Sequence, residues 1–248
     1  MNWKKLERLI FVAGHAVYTA LDYRRPGHDT SWLLQDFQKD EPPCYIEHIQ
    51  RGVELASRDE RALLLFSGGQ TRLEAGPRSE AQSYWSLAEN FAWWGHATVR
   101  ARTATEEFAR DSLENMLFSI CRFRELAGHY PARLTAVSWG FKAERFELHR
   151  AALRWPAEKF EFVGVNNPRD LAAAFTGERR NALEPFQRDP YGVRVGPPDK
   201  DPQVVYLGDK RAARNPFRRQ PPYALTCPEA AGLLNYFGTE IYPDALPW

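Results

Sequence analysis

The chain has 248 residues, with 33 basic and 32 acidic side chains. That length fits one large α/β domain, or one domain with an appendage, and the balanced charge excludes a global pull toward nucleic acid or an anionic membrane. Three cysteines far apart, Cys44, Cys121 and Cys227, form neither a metal-ligand spacing nor a disulfide framework, so a reducing compartment is expected.

No apolar run reaches the ~20 residues of a membrane span. The first residues lack the apolar stretch of a signal peptide. The expectation is a soluble, cytoplasmic protein without a membrane partner.

In chain order, Leu9-Ile10-Phe11-Val12-Ala13 reads as a buried strand, followed by Gly14 and His15. His15 is a candidate general base or ligand-binding group, or else a loop histidine bonded to the backbone. Residues 19–43 form a long polar connection, a length typical of lids and binding loops. Trp32-Leu33-Leu34 is read as a helical turn inside it. Residues 45–56 predict a helix, because Ile46, Ile49, Val53 and Ala56 recur at helical spacing.

The apolar run 63–66 reads as a second buried strand that stops at Ser67-Gly68-Gly69. Gln70, Arg72 and Arg78 follow, and Ser79-Glu80-Ala81 opens a helix with Ala81, Tyr84, Trp85 and Ala88 on one stripe. The glycines allow a sharp turn and a close approach to a ligand. The helix start supplies free N–H groups and a positive dipole end, which favour an anion. Glu80 either complements that dipole or faces the same crevice as Ser67 to Gln70.

Residues 97–101 are read as a third, weaker strand, and 103–111 as a polar approach to a long helix. Leu113, Met116, Leu117, Ile120 and Phe123 mark that helix's inner face. Asp111 and Glu114 have capping-box spacing. Glu107 and Asn115 are left as candidates at its entrance. Residues 133–137 predict a fourth strand that ends at Ser138 and opens another helix. Lys142 and Arg145 lie in that helix's first turns. Cations there oppose the dipole, which points to an anionic ligand or to a solvated face.

A fifth strand is expected over 160–165. The remainder, 169–248, is richer in Pro, Arg and Asp, with a late strand at 203–207 and a short helix over 225–237. The cluster 210–219 carries five basic residues in ten. It reads as a phosphate- or RNA-binding stretch, or as a solvated, partly extended arm.

Five alternations of strand and helix predict an α/β, Rossmann-like, mostly parallel sheet of about five strands with helices on both faces. Residues 1–168 would form that domain, with 169–248 as a C-terminal extension packed on it. Right-handed crossovers then bring the loops after the strands to one edge, where ligands sit in such sheets.

Five stretches, in this order and spacing, resemble the YdcF/SanA/ElyC-like family (domain of unknown function 218). They are Gly14, Ser67-Gly68-Gly69, Ser79-Glu80-Ala81, the segment from Glu107 through Ser112 to Glu114-Asn115, and Ser138 to Arg145. The resemblance covers roughly residues 8–167. It implies a Rossmann-type fold and a nucleotide-like or S-adenosylmethionine-like ligand, since a bacterial member is reported to bind S-adenosylmethionine. Members of the SanA/ElyC type are linked to the cell envelope, usually through a membrane anchor.

This chain departs from the pattern in its Gly14-His15 turn, in Ser112 where threonine is usual, and in Trp139-Gly140-Phe141. No membrane anchor is expected before the domain, and the length and added tail resemble fungal members.

Three functions are compatible with these residues. One is an enzyme on an anionic or nucleotide-like small molecule, with Arg72, Arg78, Lys142 and Arg145 holding the anion and Glu80, Glu107 or His15 as acid or base. Gly14, Ser67, Gly68, Gly69, Gln70, Asn115 and Ser138 would complete the ligand site. The second is a binding module without chemistry in the same crevice. The third is an enzyme using RNA or aminoacyl-transfer RNA, gripped by the basic arm. Ser-Gly-Gly is not a nucleophile elbow, and no ligand spacing argues for a metal.

Overall fold

The computed structural model describes residues 2–248. The strands are β1 (Arg8–Ala13), β2 (Val17–Tyr18), β3 (Trp32–Leu33), β4 (Ala62–Ser67), β5 (Thr103–Glu106), β6 (Arg133–Ser138) and β7 (Phe160–Gly164). The helices are α1 (Pro42–Ser57), α2 (Glu80–Asn90), α3 (Ala97–Arg100), α4 (Ser112–Ala127), α5 (Ala143–Ala152) and α6 (Leu171–Glu178). A π-turn over Arg179–Leu183 leads into α7 (Glu184–Arg188), and α8 (Leu207–Ala213), α9 (Tyr223–Thr226) and α10 (Ala231–Leu234) follow.

Five strands form one parallel sheet in the order β5-β4-β1-β6-β7. This is a Rossmann-like α/β fold. The chain works outward from β1 through β4 to β5, then returns to place β6 on the other side of β1. The strand order therefore switches between β1 and β6, where ligands of open parallel sheets sit.

Both faces of the sheet are covered, so β1 and β4 read as continuous apolar runs rather than alternating ones. The side-chain period of two still sorts them. Leu9, Phe11 and Ala13 point to a core shared with α4 and α5, whereas Ile10 and Val12 point to one shared with α1 and α2. The tail joins the first core. Phe186, Tyr191, Leu207, Tyr223 and Leu233 are buried against the same sheet face.

Several expectations are corrected. Residues 97–101 are not a strand: 97–100 are a helical turn, and the strand is Thr103–Glu106. The β-branched Thr103 and Thr105 carry the signal. Trp32-Leu33 is not a helical turn but the partner of Val17-Tyr18 in a two-stranded antiparallel ribbon. No strand forms at 203–207, where the chain instead enters α8 at Leu207. The basic cluster is no extended arm: its first part is α8, held against the domain. A helix over Leu171–Glu178 went unread because its apolar residues show no period.

Candidate active site at the strand-order switch

Loops after β1, β4 and β6 and the start of α4 enclose a polar crevice of about 150 Å³. Gly14, His15, Thr71, Arg72, Glu80, Ser112, Asn115, Ser138, Lys142 and Arg145 line it, joined by Gln38 from the long connection and Arg214 from the tail. The crevice opens into a cleft of about 1140 Å³ between the long connection, α6 and α8.

Glu80 is the first residue of α2, behind the N-cap Ser79, whose Oγ accepts from the Gln82 N–H at 2.9 Å. The Glu80 carboxylate accepts from Thr71 Oγ1 at 2.7 Å. Burial raises its pKa, against the opposing pull of Thr71 and of Arg214, Arg72 and Lys142. The glycines beside it serve this close packing. A Cβ on Gly14 would stand 2.7 Å from the Glu80 Cβ, and one on Gly68 2.7 Å from its Oε2. Gly69 is confined by the Ala109 carbonyl, which would meet its Cβ at 2.7 Å. The Gly-Gly turn is thus shaped by the protein's own backbone and Glu80, not by approach to a ligand.

Lys142 stands opposite. Its Nζ lies 3.5 Å from His15 Nδ1, and His15 Nε2 lies 3.5 Å from Ser138 Oγ. Burial first, and Arg145 second, bring the Lys142 ammonium down to about 7. Burial and Lys142 push His15 well below the ordinary histidine value, so its ring is neutral near pH 7. Arg145 faces Glu178 at 3.0 Å, off the N–H direction, so the contact is Coulombic rather than a directed hydrogen bond.

Among the described residues, Arg72, Lys142 and Arg214 make no ion pair. Burial, then Arg214, lowers the Arg72 pKa, as expected for two neighbouring cations in a poorly solvated place. Glu80 and Asp111 are the carboxylates lining the crevice with these three cations, and Asp111 is paired with Arg211, so positive charge is in excess there and an anion between the cations relieves their repulsion.

Some expected site residues lie elsewhere. Ser67 is fully buried, and its hydroxyl lies between Glu106 Oε2 at 2.8 Å and Asn115 Oδ1 at 2.9 Å, beneath the crevice. It can be neither nucleophile nor ligand contact. Glu107 does not line the crevice: its Oε1 accepts from Thr105 Oγ1 at 2.8 Å. Period-two alternation at the end of β5 sends Glu106 inward and Glu107 away. Arg78 is a loop brace, donating to the Ala75 and Thr19 carbonyls, both at 2.9 Å. Gln70 donates to the Pro77 carbonyl at 2.8 Å and does not reach the crevice either.

Sequence reasoning missed four residues that matter here. Glu106 accepts from Ser67, Tyr223 and the Phe108 and Ala109 N–H groups. Burial pushes its carboxyl up to about 7. The misplaced third strand hid it. Ser112, at the start of α4, holds its Oγ 2.7 Å from His149 Nε2, and burial takes that histidine down to about 3. The serine was visible only through the resemblance to the YdcF-like pattern, and the histidine, an interior residue of α5, carried no signal. Arg214 lay unresolved within the basic cluster.

The tail brings Arg214 in through its neighbour Arg211, which binds Asp111 at 2.6 Å and Glu114 at 3.3 Å. Arg219 lies over the Phe108 ring at 4.2 Å and donates to the Glu107 carbonyl.

Among the described residues, no group of three or more His, Cys, Asp or Glu side chains is placed to hold a metal ion. Among the described residues no helix is long and apolar enough to cross a membrane.

The chain is similar to "Uncharacterized protein YOR238W" of Saccharomyces cerevisiae (strain ATCC 204508 / S288c). The two are 27% identical over 211 residues, 66% of this chain and 70% of the yeast protein. No family model matches the chain, and no solved structure matches it.

Proposed function

We propose that this protein binds an anionic, phosphate-bearing small molecule in the crevice and performs acid–base or group-transfer chemistry on it. Arg72, Lys142 and Arg214 hold the anion, with Arg145 behind them. Glu80 moves the proton, its carboxyl buried in the crevice and its pKa raised by that burial. Ser112 offers a hydroxyl at the start of α4. The observation that carries the reading is the convergence of three unpaired cations and one buried carboxylate at the strand-order switch.

Excess positive charge favours a phosphorylated ligand or nucleotide over S-adenosylmethionine, whose sulfonium is itself a cation. The RNA-using alternative loses its free arm, because Arg211 and Arg219 are spent on contacts within the chain. Membership of the YdcF-like family belongs to this proposal. Its support is that the Gly14, Gly68-Gly69, Glu80, Ser112-to-Asn115 and Ser138-to-Arg145 stretches gather around one crevice. A cytoplasmic setting is proposed on the three free thiols.

Calorimetric titration with phosphate and pyrophosphate tests the anion site. Binding is expected in the wild type and weakened at least tenfold in Arg214→Ala and in Lys142→Met. Equal binding by all three proteins rejects the site. Glu80→Gln separates enzyme from binding module. It should keep anion binding and abolish the conversion of phosphorylated metabolites followed by mass spectrometry. Conversion at the wild-type rate by the Gln variant rejects Glu80 as the acid–base group.

A further inference from the structure

α6 breaks the usual rule for helices. Leu171-Ala172-Ala173-Ala174-Phe175 is apolar on every side, yet no residue of α6 is buried. A helix apolar all round belongs in a core. Here Leu171, Ala173, Ala174 and Gly177 line the large cleft instead. The facing wall carries Phe37, which is 73% exposed, an unusual state for a phenylalanine on a 3-10 turn beside a cavity. Phe141 extends the apolar surface and meets Phe175 at 6.2 Å.

The cleft and the crevice are continuous. His15, Phe37, Lys142, Arg145 and Arg214 line both. One end of the joined space is therefore cationic and narrow, and the other is wide and mostly apolar, with Lys39, Asp40, Arg169 and Asp170 among the charged residues on its wall. The wide part, about 1140 Å³, exceeds the range of roughly 300–1,000 Å³ usual for compact ligands. Glu178, the last residue of α6, faces Arg145, so the apolar helix is tied to the floor of the anion site.

We infer that the ligand is an anionic amphiphile, a phosphate-type head group joined to a hydrocarbon body, with the head in the crevice and the body along α6. This rests on the anion reading of the crevice and adds the chemistry of the other end. A nucleoside body fits less well, because Leu171, Ala173, Ala174 and Gly177 offer no side-chain donor or acceptor to read a base or a ribose, and Glu178, the one polar side chain that α6 turns to the cleft, faces Arg145. Charge complementarity sets the orientation: Arg72, Lys142 and Arg214 converge at the narrow end, whereas Lys39, Arg169 and Lys210 of the cleft share its wall with Asp40, Glu41 and Asp170.

The test is calorimetric titration of the full chain with inorganic phosphate, a series from methyl to octyl phosphate below the micelle concentration, and adenosine monophosphate. Affinity should rise with chain length by up to about fourfold per buried methylene, and octyl phosphate should outbind the nucleotide. In the double variant Leu171→Gln, Ala174→Gln, both positions lie on the surface of α6 and glutamine is a good helix former. That variant should bind methyl phosphate as the wild type does while the rise with chain length flattens.

If affinity is independent of chain length, or the nucleotide binds more tightly than octyl phosphate, the amphiphile is excluded and the anion site stands. A rise with chain length that the double variant leaves intact places the body elsewhere and overturns the assignment to α6. If neither phosphate nor any ester binds, the anion reading falls and this inference with it.

Discussion

Lys142 is held where two requirements conflict. Anion binding needs its charge, while burial and the neighbouring Arg145 oppose that charge and bring the group to about 7. The groups facing it are His15, Arg145, Arg214, Glu41 and Glu178. The ordinary value for a lysine is 10.5. Between about 7 and that value the unfolded chain binds a proton that the folded chain does not, so Lys142's contribution to stability rises with pH across this window. Anion affinity runs the other way, being full below about 7 and falling above it by up to about tenfold per pH unit. Sulfate, whose charge is fixed over this range, is the suitable probe. Its affinity should fall from pH 7 to pH 9 in the wild type and be flat in Lys142→Met. A flat wild-type profile would show that Lys142 does not contact the anion.

At the level of elements, α8 and α4 are joined by charges removed from water. Arg211 and Asp111 are each mostly buried, and the Asp111 carboxyl, drawn down chiefly by Arg211 against its burial, sits at about 2. Glu114 also binds Arg110, through contacts at 2.9 and 2.5 Å. Removing one partner of such a network strands the other, at a typical cost of about 3–5 kcal/mol. Arg211→Met should therefore lower stability by that order in denaturant titration, and it should weaken anion binding by releasing Arg214. Loss of stability without any change in anion affinity would make α8 a structural tether only.

At the scale of the whole molecule, the tail and the sheet share one core. Tyr223 bonds Glu106 beneath the crevice at 3.1 Å. Trp248 packs against Trp155 with ring centroids 5.7 Å apart, and its indole N–H donates to the Leu153 carbonyl at 2.8 Å. Residues so interlocked unfold together. The tryptophan fluorescence lost in Trp248→Phe, which isolates Trp248 among the eight tryptophans, and far-ultraviolet circular dichroism, which senses the sheet and its helices, should give coincident denaturant transitions. Two separated transitions would instead make the tail a unit of its own.

By itself the sequence located four of the strands, at 9–13, 63–66, 133–137 and 160–165, each within a residue of the observed bounds, and the long helices between them, because continuous apolar runs and helical stripes are local signals. It also placed Gly14, His15, Glu80, Asn115, Ser138, Lys142 and Arg145 at one edge, since right-handed crossovers leave no other edge for loops that follow parallel strands. Only the tertiary structure decided which side chains face the crevice. Glu106 and Glu107 are neighbours of the same chemistry, and a one-residue difference in phase separates a buried carboxyl from one outside the site. Arg211 and Arg214 belong to one cluster, yet one is neutralised by Asp111 and the other is left unpaired in the crevice. Composition cannot distinguish such twins, because pairing and burial depend on contacts between residues about a hundred positions apart in the chain.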